Sequence, residues 1–273
     1  MIELGIVSDE IAPDFREAVT LGMEWGITRY EIRCVRSGRV PAVDPAEWDD
    51  ILGLVREHGL SITALSPGIF KHQLSRKTEL LHELEETLPR TIAMARQCDC
   101  PLIIVFGIQR EKNEPPQHYR EVLDILRRAA QIAQKDNLRL AIENEPGFWC
   151  DTGVNTARII HDVNMPSLGA NWDPCNAYGT IEVPYPDGYR AIRPVIFNVH
   201  AKDTKRGALI ECVPIGKGVI DWKGQVEALL RDKIVGHITI ETHSLPLVEK
   251  SKQNVETLRQ LLGNGVTAKG ETV

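Results

Sequence analysis

Residues 138–143 have the sequence Leu138-Arg139-Leu140-Ala141-Ile142-Glu143, in which a short aliphatic run ends in a carboxylate. Runs of this length and composition are typical of buried β-strands, and amphipathic segments with a helical period flank this one. The same alternation continues along the whole chain. The predicted strands are Ile2–Val7, Thr28–Arg33, Ser61–Leu65, Leu102–Phe106, Leu138–Ile142, Ser167–Asn171, Val195–Val199 and His237–Ile240.

The spacing of these strands predicts the architecture. From Ile6 to Ile240 the chain advances 234 residues in seven steps, and steps of about 33 residues match the βα unit that builds parallel sheets. Eight such units predict an α/β protein with a single (β/α)8 TIM barrel over residues 1–262. Residues 263–273, which contain three glycines, are predicted to form a frayed C-terminal tail. An open doubly wound sheet is disfavoured because no glycine-rich fingerprint follows the first strand.

Composition excludes several classes of protein. The chain has 42% hydrophobic and 26% charged residues, enough for a large core, and its net charge of −6 disfavours nucleic acid as a partner. No apolar run approaches the roughly 20 residues of a membrane span, and the N-terminal residues lack a signal-peptide pattern. We therefore expect a soluble cytoplasmic protein without a membrane partner, whose six cysteines are free thiols.

Four consecutive predicted strands end in side chains that can bind a metal ion: Glu143, Asp173, His200 and Glu241. In a barrel of this type the C-terminal ends of the strands meet at one face, so these groups are expected to lie together. Three bare carboxylates would be costly to bury there without a compensating cation. The sequence therefore predicts one divalent metal ion. Oxygen ligands with a single imidazole favour Mn²⁺, with Mg²⁺, Co²⁺ or Zn²⁺ left open.

The chain resembles the xylose-isomerase-like TIM-barrel superfamily, which includes sugar-phosphate isomerases and epimerases and ketose 3-epimerases. The segments that carry the resemblance are Ala141-Ile142-Glu143-Asn144-Glu145-Pro146, Asn171-Trp172-Asp173-Pro174-Cys175-Asn176, Val199-His200-Ala201-Lys202-Asp203 and Ile240-Glu241-Thr242-His243. The resemblance implies that the four strand-end residues bind one metal ion and that Glu143 and Glu241 act as acid and base. It also implies a sugar or sugar derivative as substrate, and family members often form homo-oligomers.

Residues near these segments are predicted to contact substrate. Arg206 lies six positions after His200, a spacing similar to that of an arginine that contacts substrate in ketose epimerases. Lys202 lies two positions after His200, so its side chain is expected on the same face of the strand. A solvated turn is the alternative for Arg206. Where many relatives have histidine, this chain has Asn176, which can hydrogen-bond a sugar hydroxyl but does not titrate near neutral pH.

Three further residues are weaker predictions as substrate contacts. Trp149 stands where ketose epimerases often have a second glutamate, and it could form an apolar wall for a sugar face or an aglycone. Glu10 and Arg33 follow the first two strands and could contact substrate, or they could form an ion pair that braces the mouth of the barrel.

These features predict a carbohydrate-metabolising enzyme, a metal-dependent isomerase or epimerase that transfers a proton through a metal-stabilised enediolate. The alternative is a metal-dependent lyase or dehydratase that acts on a 3-keto sugar, a keto-glycoside or an inosose. A DNA-repair endonuclease with the same fold would need a multi-metal cluster with more histidines than the eight present. A barrel that binds metal and ligand without turnover is the non-enzymatic alternative.

Overall fold

The computed structural model describes residues 2–207 and 209–267. Eight parallel strands form a closed barrel, in which the first strand pairs with both the second and the eighth. The barrel strands are β1 (Glu3–Val7), β2 (Arg29–Ile32), β3 (Ser61–Leu65), β4 (Leu102–Phe106), β5 (Arg139–Glu143), β6 (Leu168–Trp172), β7 (Ile196–Ala201) and β8 (His237–Ile240). The predicted (β/α)8 barrel is thus confirmed, with strand bounds within two residues of those expected from the sequence.

Helices connect the strands and cover the outside of the barrel. Their bounds are α1 (Phe15–Glu24), α2 (Pro45–Glu57), α3 (Lys77–His82), α4 (Leu88–Gln97), α5 (Gln117–Lys135), α6 (Gly153–Val163), α7 (Pro174–Tyr178), α8 (Tyr189–Ile192), α9 (Trp222–Asp232) and α10 (Leu247–Thr267). A π-helical segment, Glu83–Thr87, joins α3 to α4. Several helices begin where the sequence provides a cap, as at α2, where the Asp44 carboxylate accepts from the backbone N–H of Ala46 and Glu47.

The apolar core lies mainly between the outer face of the barrel and the helices, because each strand places alternate side chains outward. Inside the barrel, Ala64, Leu102, Ile104 and Ala141 form a separate small apolar layer. Side chains along a strand alternate between its two faces, so the side chain of Glu143 lies on the same face of β5 as that of Ala141. The interior of the barrel is therefore apolar at this level and polar toward the C-terminal ends of the strands.

Two short antiparallel ribbons extend the loops at that end of the barrel. One pairs Cys34–Val35 with Gly38–Arg39, and the other pairs Asp203–Thr204 with Cys212–Val213. Helix α10 continues beyond residue 262 to Thr267, so the first part of the predicted frayed tail is helical. Residues 268–273 lie outside the described residues.

None of the helices described is both long enough and apolar enough to span a bilayer. All six cysteines are unpaired, as expected from the sequence.

Candidate functional site

The four predicted metal ligands meet at the C-terminal end of the barrel. Glu143 is the last residue of β5, His200 lies in β7, and Asp173 and Glu241 directly follow β6 and β8. All four are buried, and one ligand atom from each lies within 4.8 Å of the others. The C-terminal ends of the parallel strands of a barrel meet at one face, which is why residues so distant in sequence form a compact group.

The orientation of His200 suits a ligand role. Its Nε2 lies 2.9 Å from a carboxylate oxygen of Glu31, which fixes the ring and assigns the hydrogen to Nε2. Its Nδ1 faces Glu143 Oε1 at 3.6 Å and Glu241 Oε2 at 3.4 Å. Nδ1 is buried and has no hydrogen-bond partner among the described residues. A buried imidazole nitrogen directed at two carboxylates is satisfied by a shared cation.

Lys202, the residue directly after β7, belongs to the same group. Its Nζ lies 2.8 Å from Asp173 Oδ2 and 2.8 Å from Glu241 Oε2, so one ammonium bridges two of the four candidate ligands. Asp173 uses its other oxygen to accept from the backbone N–H of Asn176, whereas Oδ2 lacks a hydrogen bond of good geometry. Lys202 therefore supplies part of the positive charge that these buried carboxylates need.

The charges in this group shift one another's pKa values. Burial would raise the pKa of Glu241, but Lys202 and His200 hold it well below its ordinary value. Burial and the charge of Glu241 raise the pKa of Glu143, but His200 and Lys202 lower it by more, so the pKa lies below its ordinary value. Burial raises the pKa of Asp173 despite Lys202. Both glutamates are thus kept ionised near neutral pH.

Arg33 organises the rim beside Glu241. Its guanidinium lies 2.8 Å from Glu241 Oε1, 2.7 Å from Glu10 Oε1 and 2.9 Å from Asp9 Oδ2. His243 Nε2 lies 3.1 Å from both Glu10 and Glu241, which makes these three residues a second group able to ligate a metal. Because the guanidinium already forms ion pairs with both carboxylates of that group, we assign no second metal to it.

The cavity above the four ligands, called here the central cavity, has a volume of about 360 Å³, which is within the usual range for small-molecule sites. Its lining residues are Arg33, Arg39, Ser66, Lys71, Phe106, Glu143, Glu145, Asn176, Lys202, Ile210, Cys212, Glu241 and His243. Asn176 donates from Nδ2 to Glu143 Oε1 at 3.2 Å and to the Asn144 carbonyl at 2.9 Å. This amide holds the Glu143 carboxylate in position.

The residues predicted to contact substrate fall into two sets. Asn176, Lys202 and Arg33 line the central cavity, and Glu10 lies behind Arg33 as its ion-pair partner. Trp149 is buried beneath Arg110 and lines a neighbouring cleft instead. Arg206 is exposed on the loop after β7 and is not among the residues described as lining the cavity.

Several residues of the site had not been identified from the sequence as site residues. They are Glu31, which holds His200, and the lining residues Arg39, Lys71 and Glu145. Glu31 carries a weak signal, since it is a lone charge between the apolar Tyr30 and Ile32 of a buried strand. Arg39 lies on the short ribbon after β2 and Lys71 in the loop after β3, and charged side chains are common in such connections and carry no such signal.

The geometry and donor set fit one divalent cation. The evidence is the compact group of three carboxylates and one imidazole, the unpartnered Nδ1 of His200 and the supporting Glu31. Such a donor set does not by itself identify the ion.

The chain matches the model of one protein family and resembles solved structures. A probable 3-DHS dehydratase, AsbF, from Bacillus anthracis has a TM-score of 0.80 at 17% identity, covering 94% of this chain and 99% of the other. A D-tagatose 3-epimerase-like protein has a TM-score of 0.79 at 19% identity, and the match covers 97% of this chain and 100% of the other. The IOLI protein with a bound zinc atom has a TM-score of 0.78 at 15% identity, and the match covers 99% of this chain and 100% of the other.

At these identities the structural similarity establishes the fold alone, and no curated protein matches the sequence. The model of the "Xylose isomerase-like TIM barrel" family matches residues 19–261. The matched residues include seven of the eight barrel strands, β2 to β8. They also include all four candidate ligands. The chain therefore belongs to the xylose isomerase-like TIM barrel family.

Proposed function

We propose that this protein is a divalent-metal-dependent sugar isomerase or epimerase, which moves a proton at a carbon next to a carbonyl through an enediolate. The observation that carries the proposal is the placement of Glu143 and Glu241. The two carboxylates come from the C-terminal ends of β5 and β8, both line the central cavity, and both lie within 3.6 Å of His200 Nδ1. Two carboxylates that face one substrate can remove a proton and return one.

The surroundings of the two glutamates support these roles. Lys202 lowers the pKa of both glutamates, so each can accept a proton at neutral pH, and the one that acts as acid first takes its proton from the substrate or from solvent. Asn176 orients Glu143, and Arg33 orients Glu241. A divalent cation held by Glu143, Asp173, His200 and Glu241 would polarise the substrate carbonyl and stabilise the negative charge that develops on it. We propose Mn²⁺ as the resident ion, since this donor set is rich in hard oxygen ligands.

A lyase or dehydratase that acts on a keto sugar is the second candidate. It is favoured by the N–H donors of Lys202 and His243, which line the cavity beside Glu241 and could protonate a leaving group. The likeness to a probable 3-DHS dehydratase agrees with this candidate. The likeness to a D-tagatose 3-epimerase-like protein agrees with the first.

Hydrogen exchange separates the candidates. Purified protein is analysed for bound metal, loaded with Mn²⁺ and incubated in D₂O with a panel of ketoses and keto sugars. An isomerase or epimerase incorporates deuterium at the carbon next to the carbonyl and forms an isomeric product, which nuclear magnetic resonance detects. A dehydratase forms an unsaturated product. A metal-loaded protein that binds these sugars and exchanges no hydrogen would overturn both proposals.

A further inference from the structure

Resting on the proposed function, we propose that the substrate carries an oxyanion, a carboxylate or a phosphate, and that Arg39 binds it at the wall of the central cavity. Arg39 would then select charged sugar derivatives over neutral sugars. The metal ligands and the two glutamates do not supply this selection, because they act at the carbonyl end of the substrate.

Arg39 is held in place and retains unused donors. It lies on the short ribbon after β2, where it pairs with Cys34, and its Nε donates to the carbonyl of Ser66 at 3.1 Å. That bond uses one of the five N–H donors of a guanidinium. The side chain of Arg39 forms no other hydrogen bond and no ion pair with the residues that the structure describes. Its side chain lines the central cavity together with Glu143 and Glu241.

The other cations of the cavity are already paired. Lys71 Nζ lies 3.2 Å from Glu145, His243 contacts Glu10 and Glu241, Arg33 contacts three carboxylates, and Lys202 contacts two. Among the described lining residues, Arg39 is therefore the cationic side chain without a carboxylate partner. A planar guanidinium left unpaired at the wall of a cavity matches the geometry of a carboxylate or phosphate.

The backbone beneath Arg39 leaves room for this guanidinium. Gly68 has φ +76°, and a Cβ at this position would lie 2.9 Å from Arg39 Cζ. A side chain at residue 68 would thus displace the guanidinium from its position against the loop. Together the Ser66 carbonyl and Gly68 fix the head group of Arg39 at the cavity wall, which limits the entropy lost when an anion binds.

A matched series of ketoses tests the inference. Isothermal titration calorimetry of the Mn²⁺-loaded protein compares D-fructose, D-fructuronate and D-fructose 6-phosphate, which differ only at C6. We expect at least one of the anionic compounds to bind about tenfold or more tightly than D-fructose, and the tighter of the two identifies carboxylate or phosphate as the preferred oxyanion. Equal or tighter binding of D-fructose would overturn the inference without recourse to any variant.

Variants then assign the effect to Arg39. Arg39→Gln should weaken binding of the anionic ketose far more than binding of D-fructose and so remove the preference, and Arg39→Lys should restore part of it. If Arg39 only braces the Ser66 carbonyl, Arg39→Gln weakens all three ligands equally, and the inference fails. The control is Arg36→Gln on the same ribbon turn, whose exposed side chain pairs with Asp14 and which should retain the wild-type preference.

This test and the test of the proposed function fail separately. Hydrogen exchange into a neutral ketose without a preference for anions would leave the proposed function standing and remove the role of Arg39. If the protein exchanges no hydrogen but prefers anions in a way that depends on Arg39, the role of Arg39 stands and the proposed function fails.

Discussion

The imidazole of His200 contacts Glu31 through Nε2 at 2.9 Å, although the two residues lie 169 positions apart. The contact crosses the barrel from β7 to β2 and leaves Nδ1 directed at Glu143 and Glu241. Asn198 also approaches the same Glu31 oxygen, at 3.5 Å, within the polar interior of the barrel. Glu31 thus fixes both the tautomer and the orientation of the imidazole on the side away from the ligand group.

Replacement of Glu31 should therefore weaken metal binding without removing a ligand. We expect Glu31→Gln to reduce Mn²⁺ affinity about 10-fold to 100-fold, because the ring loses the carboxylate that raises its basicity. Isothermal titration calorimetry with Mn²⁺ provides the measurement. Glu256→Gln, at an exposed position of α10, is the matched control and should bind Mn²⁺ as the wild type does. Unchanged affinity in Glu31→Gln would show that His200 needs no such support.

The two cavity glutamates should be individually essential for proton transfer. Glu143→Gln and Glu241→Gln are each expected to lower the rate of deuterium incorporation by about 10² to 10⁴, since an amide cannot act as a base. Mass spectrometry of the recovered sugar measures the rate at saturating Mn²⁺, so that weaker metal binding is separated from lost catalysis. Glu86→Gln, at an exposed position, serves as control. Wild-type rates in both variants would remove the glutamates from the mechanism.

Lys202 should stabilise the metal-free protein and oppose metal binding. Lys202→Met keeps the aliphatic stem but removes the ammonium that lies 2.8 Å from both Asp173 and Glu241. We expect the metal-free variant to lose about 3–5 kcal/mol of unfolding free energy, because buried carboxylates are left unpaired. Added Mn²⁺ should raise its Tm more than that of the wild type. Differential scanning calorimetry with and without Mn²⁺ tests this, and an equal rise in Tm for both proteins would contradict it.

The partly buried imidazole of His237 should make stability fall in mild acid. Burial, and secondarily the charge of Arg29, lower the pKa of His237 from 6.5 to about 4, and its Nε2 has no partner among the described residues. The unfolded chain therefore binds this proton first as the pH falls. The contribution of His237 to stability is complete above about pH 6.5 and is lost progressively toward pH 4, by at most about 3 kcal/mol.

Urea unfolding at several pH values across this window measures the effect. His237→Gln should show a shallower loss of unfolding free energy between about pH 6.5 and pH 4.5 than the wild type. His58→Gln removes a histidine from an exposed position and should retain the wild-type slope. Parallel slopes for the wild type and His237→Gln would contradict a lowered pKa at His237.

The barrel and its four candidate ligands were predictable from local patterns. A strand such as Leu102–Phe106 is encoded by its own aliphatic run, and the strand spacing is counted directly along the chain. Glu143, Asp173, His200 and Glu241 were identified because each lies at the C-terminal end of a predicted strand, and parallel strands in a barrel end at one face. The rule applies to every strand end and needs no knowledge of which strands are neighbours.

The partners of those ligands required the tertiary structure. Glu31 was not identified as the support of His200, since only closure of the barrel brings β2 opposite β7. Trp149 and Arg206 were predicted to contact substrate from the resemblance to ketose epimerases, but the paths of their loops direct one into a neighbouring cleft and the other to the surface. Loop conformation depends on contacts with the rest of the molecule, which local patterns do not encode.

By itself, then, the sequence determined the eight βα units, the closed barrel and the acidic strand ends, because period and spacing are properties of consecutive residues. Only the tertiary structure decided which charges meet: that Lys202 bridges Asp173 and Glu241, that Arg33 binds Glu241, and that Arg39 faces the cavity without a carboxylate partner among the described residues. Electrostatic pairing depends on distances of a few ångströms between residues far apart in the chain, and such distances exist only after the barrel has closed.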